Sequence, residues 1–124
     1  MNNIQQVSLG RFFAGDHKAW TMTFFDKNNL PLILNSRRVI FSMKQDLDDN
    51  DTNAIIRKVY DFPNSNSNIY EYVLELNTNE TNDLFGVFEF DVRVSFQGNA
   101  SEIQFTALRG KMTIDQSVTN SMVI

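Results

Sequence analysis

The strongest secondary-structure signal in this chain is the stretch VFEFDVRVSF, residues 87–96. Its apolar side chains recur at every second position, and residues of one parity share one face of an extended strand. We therefore expect a strand with one face on a core and the other in water, which is typical of an antiparallel sheet. The apolar face carries Phe88, Phe90, Val92, Val94 and Phe96, and the polar face carries Glu89, Asp91, Arg93 and Ser95.

Similar alternation recurs along the chain. It predicts further strands at 18–25, 30–34, 39–44, 69–76 and 103–115, and an apolar segment follows at 54–60. Gly98 and Asn99 predict the turn of a hairpin between the 87–96 strand and the last strand. The last strand changes its apolar parity after Ala107, so we expect a β-bulge near Arg109 and Gly110. Residues 77–84 are polar and predict one helical turn capped by Thr78.

Seven to eight short strands with evenly spaced turn signals predict an all-β fold. An antiparallel β-sandwich is the expected architecture, with a closed barrel as the alternative. A chain of 124 residues, 1–124, without an internal repeat or a low-complexity linker, fits a single domain.

Composition and charge exclude several function classes. The chain has no cysteine, so it has no disulfide and no thiolate ligand or nucleophile. Its net charge is −4 and its 11 basic residues are dispersed, a pattern that argues against nucleic-acid partners. We expect no membrane span, no secretory signal at the start of the chain, and synthesis under cytosol-like conditions.

Residues that could support catalysis are few. His17 is the single histidine, it follows Asp16, and no serine lies in a G-x-S-x-G setting. Glu71 and Glu75 lie on one strand face, but four residues separate them by roughly 13 Å. Paired-carboxylate hydrolysis needs about 5–9.5 Å. We therefore predict that the chain is not an enzyme and has no catalytic residues.

The acidic stretch 46–51 begins like a calcium-binding loop, because several carboxylate oxygens lie close together. The match ends at Asp51, which stands where that loop needs glycine, and at Arg57, which stands where it needs its closing glutamate. We predict a solvated loop, with no metal site and no cofactor.

Protein contacts are therefore the main functional expectation. Phe12, Phe13 and Phe25 fall outside the alternating core faces, so we expect them to be exposed for a partner. Arg37 and Arg38 are an adjacent basic pair, and arginine and aromatic residues are enriched at interface hot spots. These five residues are the predicted interface.

Several segments, taken in order, resemble a known family. They are GDHKAW (15–20), VIFSMK (39–44), GVFEFDV (86–92), LRGKMTI (108–114) and SVT (117–119). Together they resemble the N-terminal domain of phage baseplate upper proteins, immunoglobulin-like adaptors of tailed-phage tails, over residues 15–119. Phe88 and Phe90 stand where tyrosine is expected in that family.

The resemblance implies an immunoglobulin-like sandwich that acts as a structural adaptor module. Its expected partners are other tail, baseplate or fibre proteins and further copies of itself. The expected location is the virion, after synthesis in the bacterial cytoplasm. The alternative is a β-sandwich module that binds a host-surface glycan, since sugars stack on exposed aromatic rings.

Overall fold

The computed structural model describes residues 5–26, 28–45, 54–96 and 105–116. These residues form seven strands and one short helix, so the all-β prediction is confirmed. In chain order the elements are β1 (Gln5–Phe13), β2 (Lys18–Thr23), β3 (Arg37–Lys44), β4 (Ile56–Asp61), β5 (Glu71–Leu76), α1 (Thr78–Thr81), β6 (Gly86–Phe96) and β7 (Phe105–Asp115).

The strands form two sheets of unequal size. A five-stranded sheet has the order β1-β7-β6-β3-β4, and a two-stranded sheet pairs β2 with β5. The alternating apolar faces of both sheets point into one core, as in a sandwich. Fully buried members include Leu34, Val39, Phe41, Met43, Leu74, Leu76, Phe90, Val92 and Val94.

The expectation of purely antiparallel pairing is wrong at one edge. β1 pairs with β7 in parallel, from Gln5 opposite Leu108 to Phe13 opposite Asp115. The other pairings, including the expected β6–β7 hairpin pairing, are antiparallel. β1 itself was not predicted, because a bulge interrupts its alternation. Gly10 has φ +76° in this bulge, and the buried parity changes from Val7 and Leu9 to Phe12.

The bulge predicted in the last strand is present but lies earlier. Val92 pairs with Leu108 whereas Arg93 pairs with Thr106, so Ala107 is the extra residue. Gly110 serves a different purpose. A Cβ on this residue would lie 1.9 Å from the carbonyl oxygen of Val7, so glycine allows β1 to approach β7.

Three smaller expectations also need correction. Residues 30–34 form only an isolated bridge, Phe25 to Pro31, because proline lacks the N–H that a ladder needs. The helix cap is Asn77 rather than Thr78, in a capping box with Glu80. The polar face of β6 is not in water throughout: Asp91 is 4% exposed and Ser95 is fully buried, because β3 and β7 flank this strand on both sides.

Candidate functional site

The predicted interface residues do not form one surface. Phe12 is only 5% exposed and its ring lies 5.7 Å from that of Trp20, so the prediction that it is exposed is wrong. Its side chain points inward from β1, the strand that the sequence pattern did not reveal. Phe13, the next residue, points outward and is 54% exposed, as predicted. Phe25 is partly buried and pairs with Pro31 in a turn-flanking bridge.

Phe13 belongs to an exposed apolar surface at one end of the large sheet. Phe85 and Val87, which are 62% and 59% exposed, lie on or just before β6. Arg11 and Val87 both lie opposite Thr113 of β7, and Phe13 lies opposite Asp115. The neighbouring residues Phe12, Phe88, Met112 and Ile114 are buried, so the side chains of Phe13 and Val87 lie on the outer face of the sheet. Phe85 lies at the end of this sheet, one residue before β6. We call Phe13, Phe85 and Val87 the β1 patch.

An ion pair lies within the β1 patch. The Arg11 guanidinium donates two hydrogen bonds to the Asp115 carboxylate, at 2.9 and 2.8 Å. This bidentate contact lowers the pKa of Asp115 below its ordinary value. A narrow groove of about 160 Å³ borders Phe85 and is lined partly by Ala14, Asp83 and Gln116. The patch therefore combines exposed apolar rings with a fixed pair of opposite charges.

Arg37 and Arg38 lie at the start of β3, away from the β1 patch. Arg38 donates to both oxygens of Asp61 on β4, at 2.7 and 3.1 Å, and this contact lowers the pKa of Asp61. Arg37 is half-buried, and burial lowers its pKa. Arg38 thus stabilises the pairing of two strands, while the predicted interface role of both arginines stays a prediction.

A second exposed surface follows the outer edge of the small sheet. Val73 of β5 is 57% exposed, and Tyr60 of β4 is 50% exposed. Both line a groove of about 250 Å³ together with Phe62, Glu71 and Tyr72. Burial raises the pKa of Tyr72 to about 12, so its phenol stays neutral at physiological pH. We call the backbone and side chains of Glu71, Val73 and Glu75 the β5 edge.

Lys58 marks one end of the β5 edge. Its amine extends from β4 across to β5, where it donates to the carbonyl oxygen of Glu75 and lies 2.6 Å from the Glu80 carboxylate. The same Glu80 oxygen also accepts from the backbone N–H of Asn77, so one carboxylate contacts both the helix cap and Lys58. The two sheets are therefore tied together at this end of the groove.

Two residues that the sequence offered for catalysis, His17 and Glu75, lie next to each other on the surface. His17 is more than half exposed, and its Nε2 lies 3.2 Å from an oxygen of Glu75. In the described ranges, no three histidine, aspartate or glutamate side chains lie close enough to hold a metal ion. The acidic stretch 46–51 lies outside the described residues. Among the residues that are described, no helix is long and apolar enough to cross a membrane.

Phe85, Val87, Val73 and Tyr60 are the surface residues that sequence reasoning missed. Val87 opens the alternating stretch on its polar parity, and Val73 sits between two glutamates on the outward parity of β5. For these two valines, an apolar residue on an otherwise polar strand face was the sequence signal for an exposed apolar surface. No protein-family model matches this chain, and no curated protein is found to be similar to it.

Proposed function

We propose that this chain is a structural adaptor module of a phage or prophage tail that acts through protein–protein contacts in the baseplate or at a fibre attachment. The β1 patch carries the proposal. Its three large apolar side chains are each more than half exposed and lie near the Arg11–Asp115 ion pair at one end of the large sheet. Exposed apolar patches rimmed by polar groups mark protein-interaction sites, and aromatic and arginine residues are enriched there.

The strand order supports an immunoglobulin-like topology within this proposal. In such domains, strands G, F, C and C′ form one sheet, while B and E belong to the other. The order β7-β6-β3-β4 opposite β2-β5 corresponds to that arrangement. The helix α1 then lies between the E and F strands. The position of strand D, next to E, has no counterpart because residues 62–70 form no strand.

The resemblance to baseplate upper proteins adds to this support through the placement of its segments. GDHKAW leads into β2, VIFSMK fills most of β3, GVFEFDV begins β6 and LRGKMTI lies within β7. In the proposed role, the domain occurs in several copies in the virion and contacts neighbouring tail proteins through the β1 patch. It is made in the bacterial cytoplasm and carries out no catalysis.

Complementation of a phage that lacks the gene tests the role and its surface together. A Phe13→Ser/Phe85→Ser variant should fold normally and show at least a tenfold loss of incorporation into particles, measured by quantitative immunoblotting. The matched control is Leu30→Ser/Ile33→Ser, which removes two apolar side chains that are 59% and 43% exposed outside the patch. Incorporation of the Phe13/Phe85 variant at the control level would overturn the proposal that this patch drives assembly.

A glycan-binding module remains the second candidate because of one observation. An open groove of about 690 Å³ beside β5 is lined partly by Thr23, Asn68, Tyr70 and Glu71, and Tyr70 is 38% exposed. An exposed aromatic ring among hydroxyl, amide and carboxylate groups suits a sugar. Saturable binding on a glycan array that Tyr70→Ala abolishes would favour this function, and a flat array would remove it.

A further inference from the structure

The small sheet has an unpaired strand edge in the part of the chain that the structure describes. Its two strands lie opposite the five strands of the large sheet, and β5 pairs with β2 alone. Lys58 points from the inner side of β4 to Glu75, so the free edge of β5 lies above β4. Tyr60, on the same inner parity of β4, is half exposed. No strand formed by the described residues pairs with this edge, so a space for one more strand lies beside β5 and over Tyr60.

The backbone of β5 offers hydrogen bonds to this space. The Glu75 carbonyl accepts from Lys58 and so faces away from β2. Backbone groups reverse direction at each residue of a strand, so the N–H and C=O groups of Glu71 and Val73 also face the free edge. Lys58 already donates to the carbonyl of Glu75, the last of these three residues. The part of the edge that a partner strand can pair with therefore ends at Glu75 and is centred on Val73.

Side chains on both sides of the edge specify what can bind there. On the outer face, Val73 lies between Glu71 and Glu75. On the inner face, the groove of about 250 Å³ is lined by the rings of Tyr60, Phe62 and Tyr72. Lys58 contributes little positive charge because Glu80 neutralises it. A partner strand that fits this edge carries apolar residues on its inward face. Its outward face carries a basic, an apolar and a second basic residue, opposite Glu71, Val73 and Glu75.

We propose that the β5 edge binds an extended, basic segment of a partner protein by β-augmentation, adding a third strand to the small sheet. This inference rests on the proposed assembly function and names the chemistry of one partner. The partner segment runs antiparallel to β5, exchanges both backbone hydrogen bonds with Val73, and places its basic side chains beside Glu71 and Glu75.

The charges of the β5 edge disfavour a second copy of the chain as the occupant. Two β5 strands related by a two-fold axis through Val73 would place Glu71 of one copy directly opposite Glu75 of the other. Like charges directly opposite each other destabilise a strand pair. The same glutamates attract lysine or arginine. Contacts between copies therefore use another surface.

Synthetic peptides test the proposal on the purified full chain. The peptide TKLVLKT should bind saturably in isothermal titration calorimetry, and its acidic counterpart TELVLET should bind at least tenfold more weakly. N-methylation of the central valine removes an N–H that faces β5 and should abolish binding. N-methylation of the preceding leucine blocks an N–H that faces away and should leave affinity within about twofold.

A charge reversal on the protein supplies the matched control. Glu71→Lys should weaken binding of TKLVLKT by about fivefold and improve binding of TELVLET by a similar factor, because one cross-strand pair changes from attraction to repulsion. Asp83→Lys makes the same change in net charge at an exposed position outside the β5 edge and should leave both affinities unchanged.

Equal affinity for the two peptides would overturn the proposal, and so would equal effects of the two N-methyl positions. Dimerisation of the free protein that Glu71→Lys alters would assign the edge to a second copy instead and also overturn it. These outcomes are separable from the assembly function. Particles that contain the protein, combined with absent peptide binding, would reject only the β5 edge. Peptide binding without incorporation would reject only the tail role.

Discussion

Replacing Gly110 by alanine should detach β1 from the large sheet. The new Cβ would lie 1.9 Å from the Val7 carbonyl oxygen and 2.9 Å from its carbon, whereas ordinary contact begins at 3.4 Å. The obstacle is backbone, so β1 must move by about 1.5 Å. Overpacking costs about 1–3 kcal/mol, and two strained ladder hydrogen bonds add about 1 kcal/mol each. We expect a loss of about 3–5 kcal/mol in the free energy of unfolding.

Urea and thermal unfolding, followed by circular dichroism, measure this loss. At roughly 4 °C per kcal/mol for a domain of this size, Gly110→Ala should lower Tm by about 12–20 °C. Gly10→Ala is the control, because Gly10 has φ +76° but open space around its Cβ position. It should cost only about 1–2 kcal/mol of backbone strain.

Hydrogen exchange separates detachment of β1 from general destabilisation. Gly110→Ala should increase exchange selectively in residues 5–13 and in the facing part of β7, while the β2–β5 pairing stays protected. If Gly110→Ala were as stable as Gly10→Ala, glycine at position 110 would not be needed for the close approach of β1 to β7. Unchanged protection of residues 5–13 in Gly110→Ala would lead to the same conclusion.

Three further outcomes follow from burial and charge. Phe12→Ala should cost about 3–5 kcal/mol in chemical denaturation because Phe12 is buried, whereas Phe13→Ala should stay within about 0.5 kcal/mol; equal losses would contradict the assigned faces. Burial raises the pKa of Tyr72 to about 12. The stability that its neutral phenol contributes is therefore complete below pH 10 and falls as pH rises toward 12. Ultraviolet titration should show an ionisation near pH 12 that Tyr72→Phe removes. The arginine partners of Asp61 and Asp115 lower the pKa values of these carboxyls. The stability that the two ion pairs contribute is therefore present above about pH 4 and is lost as pH falls further. An Asp61→Asn/Asp115→Asn variant should show a smaller drop in Tm on acidification, and a drop equal to that of the unchanged protein would count against these ion pairs.

The sequence predicted strands best where apolar residues recur at every second position. The stretch 87–96 became β6 with the expected buried parity, and 39–44 lies within β3. Both strands are specified by hydrophobic periodicity, a pattern that neighbouring residues alone contain. The polar face of β6 could not be judged in the same way, because the burial of Asp91 and Ser95 depends on which strands flank them.

β1 was missed for a physical reason that lies within its own sequence. The bulge at Gly10 changes the inward parity, so Val7 and Leu9 do not align with Phe12 in a strict period of two. Phe12 therefore looked like an exposed residue when it is part of the core. Parallel pairing with β7 is a long-range contact, and no local pattern specifies it.

The candidate surfaces were predictable only in part. Phe13 was correctly expected to be exposed, but its position relative to Phe85 and Val87 depends on the pairing of β1 with β7, two strands that are distant in sequence. The β5 edge depends on the absence of a strand beside β5 in residues 62–70 and on the reach of Lys58 from β4. Such features of topology and side-chain reach follow from the fold rather than from any motif.

Quantitative mass spectrometry of purified particles tests whether the chain is a structural component of a tail. Under the proposed role a phage or lysogen carries this gene, and copies of the chain in its particles are counted against known tail components. The adaptor role predicts a fixed, small multiple of the baseplate copy number that persists after density-gradient purification and a high-salt wash. Absence of the chain from infectious particles would contradict the role.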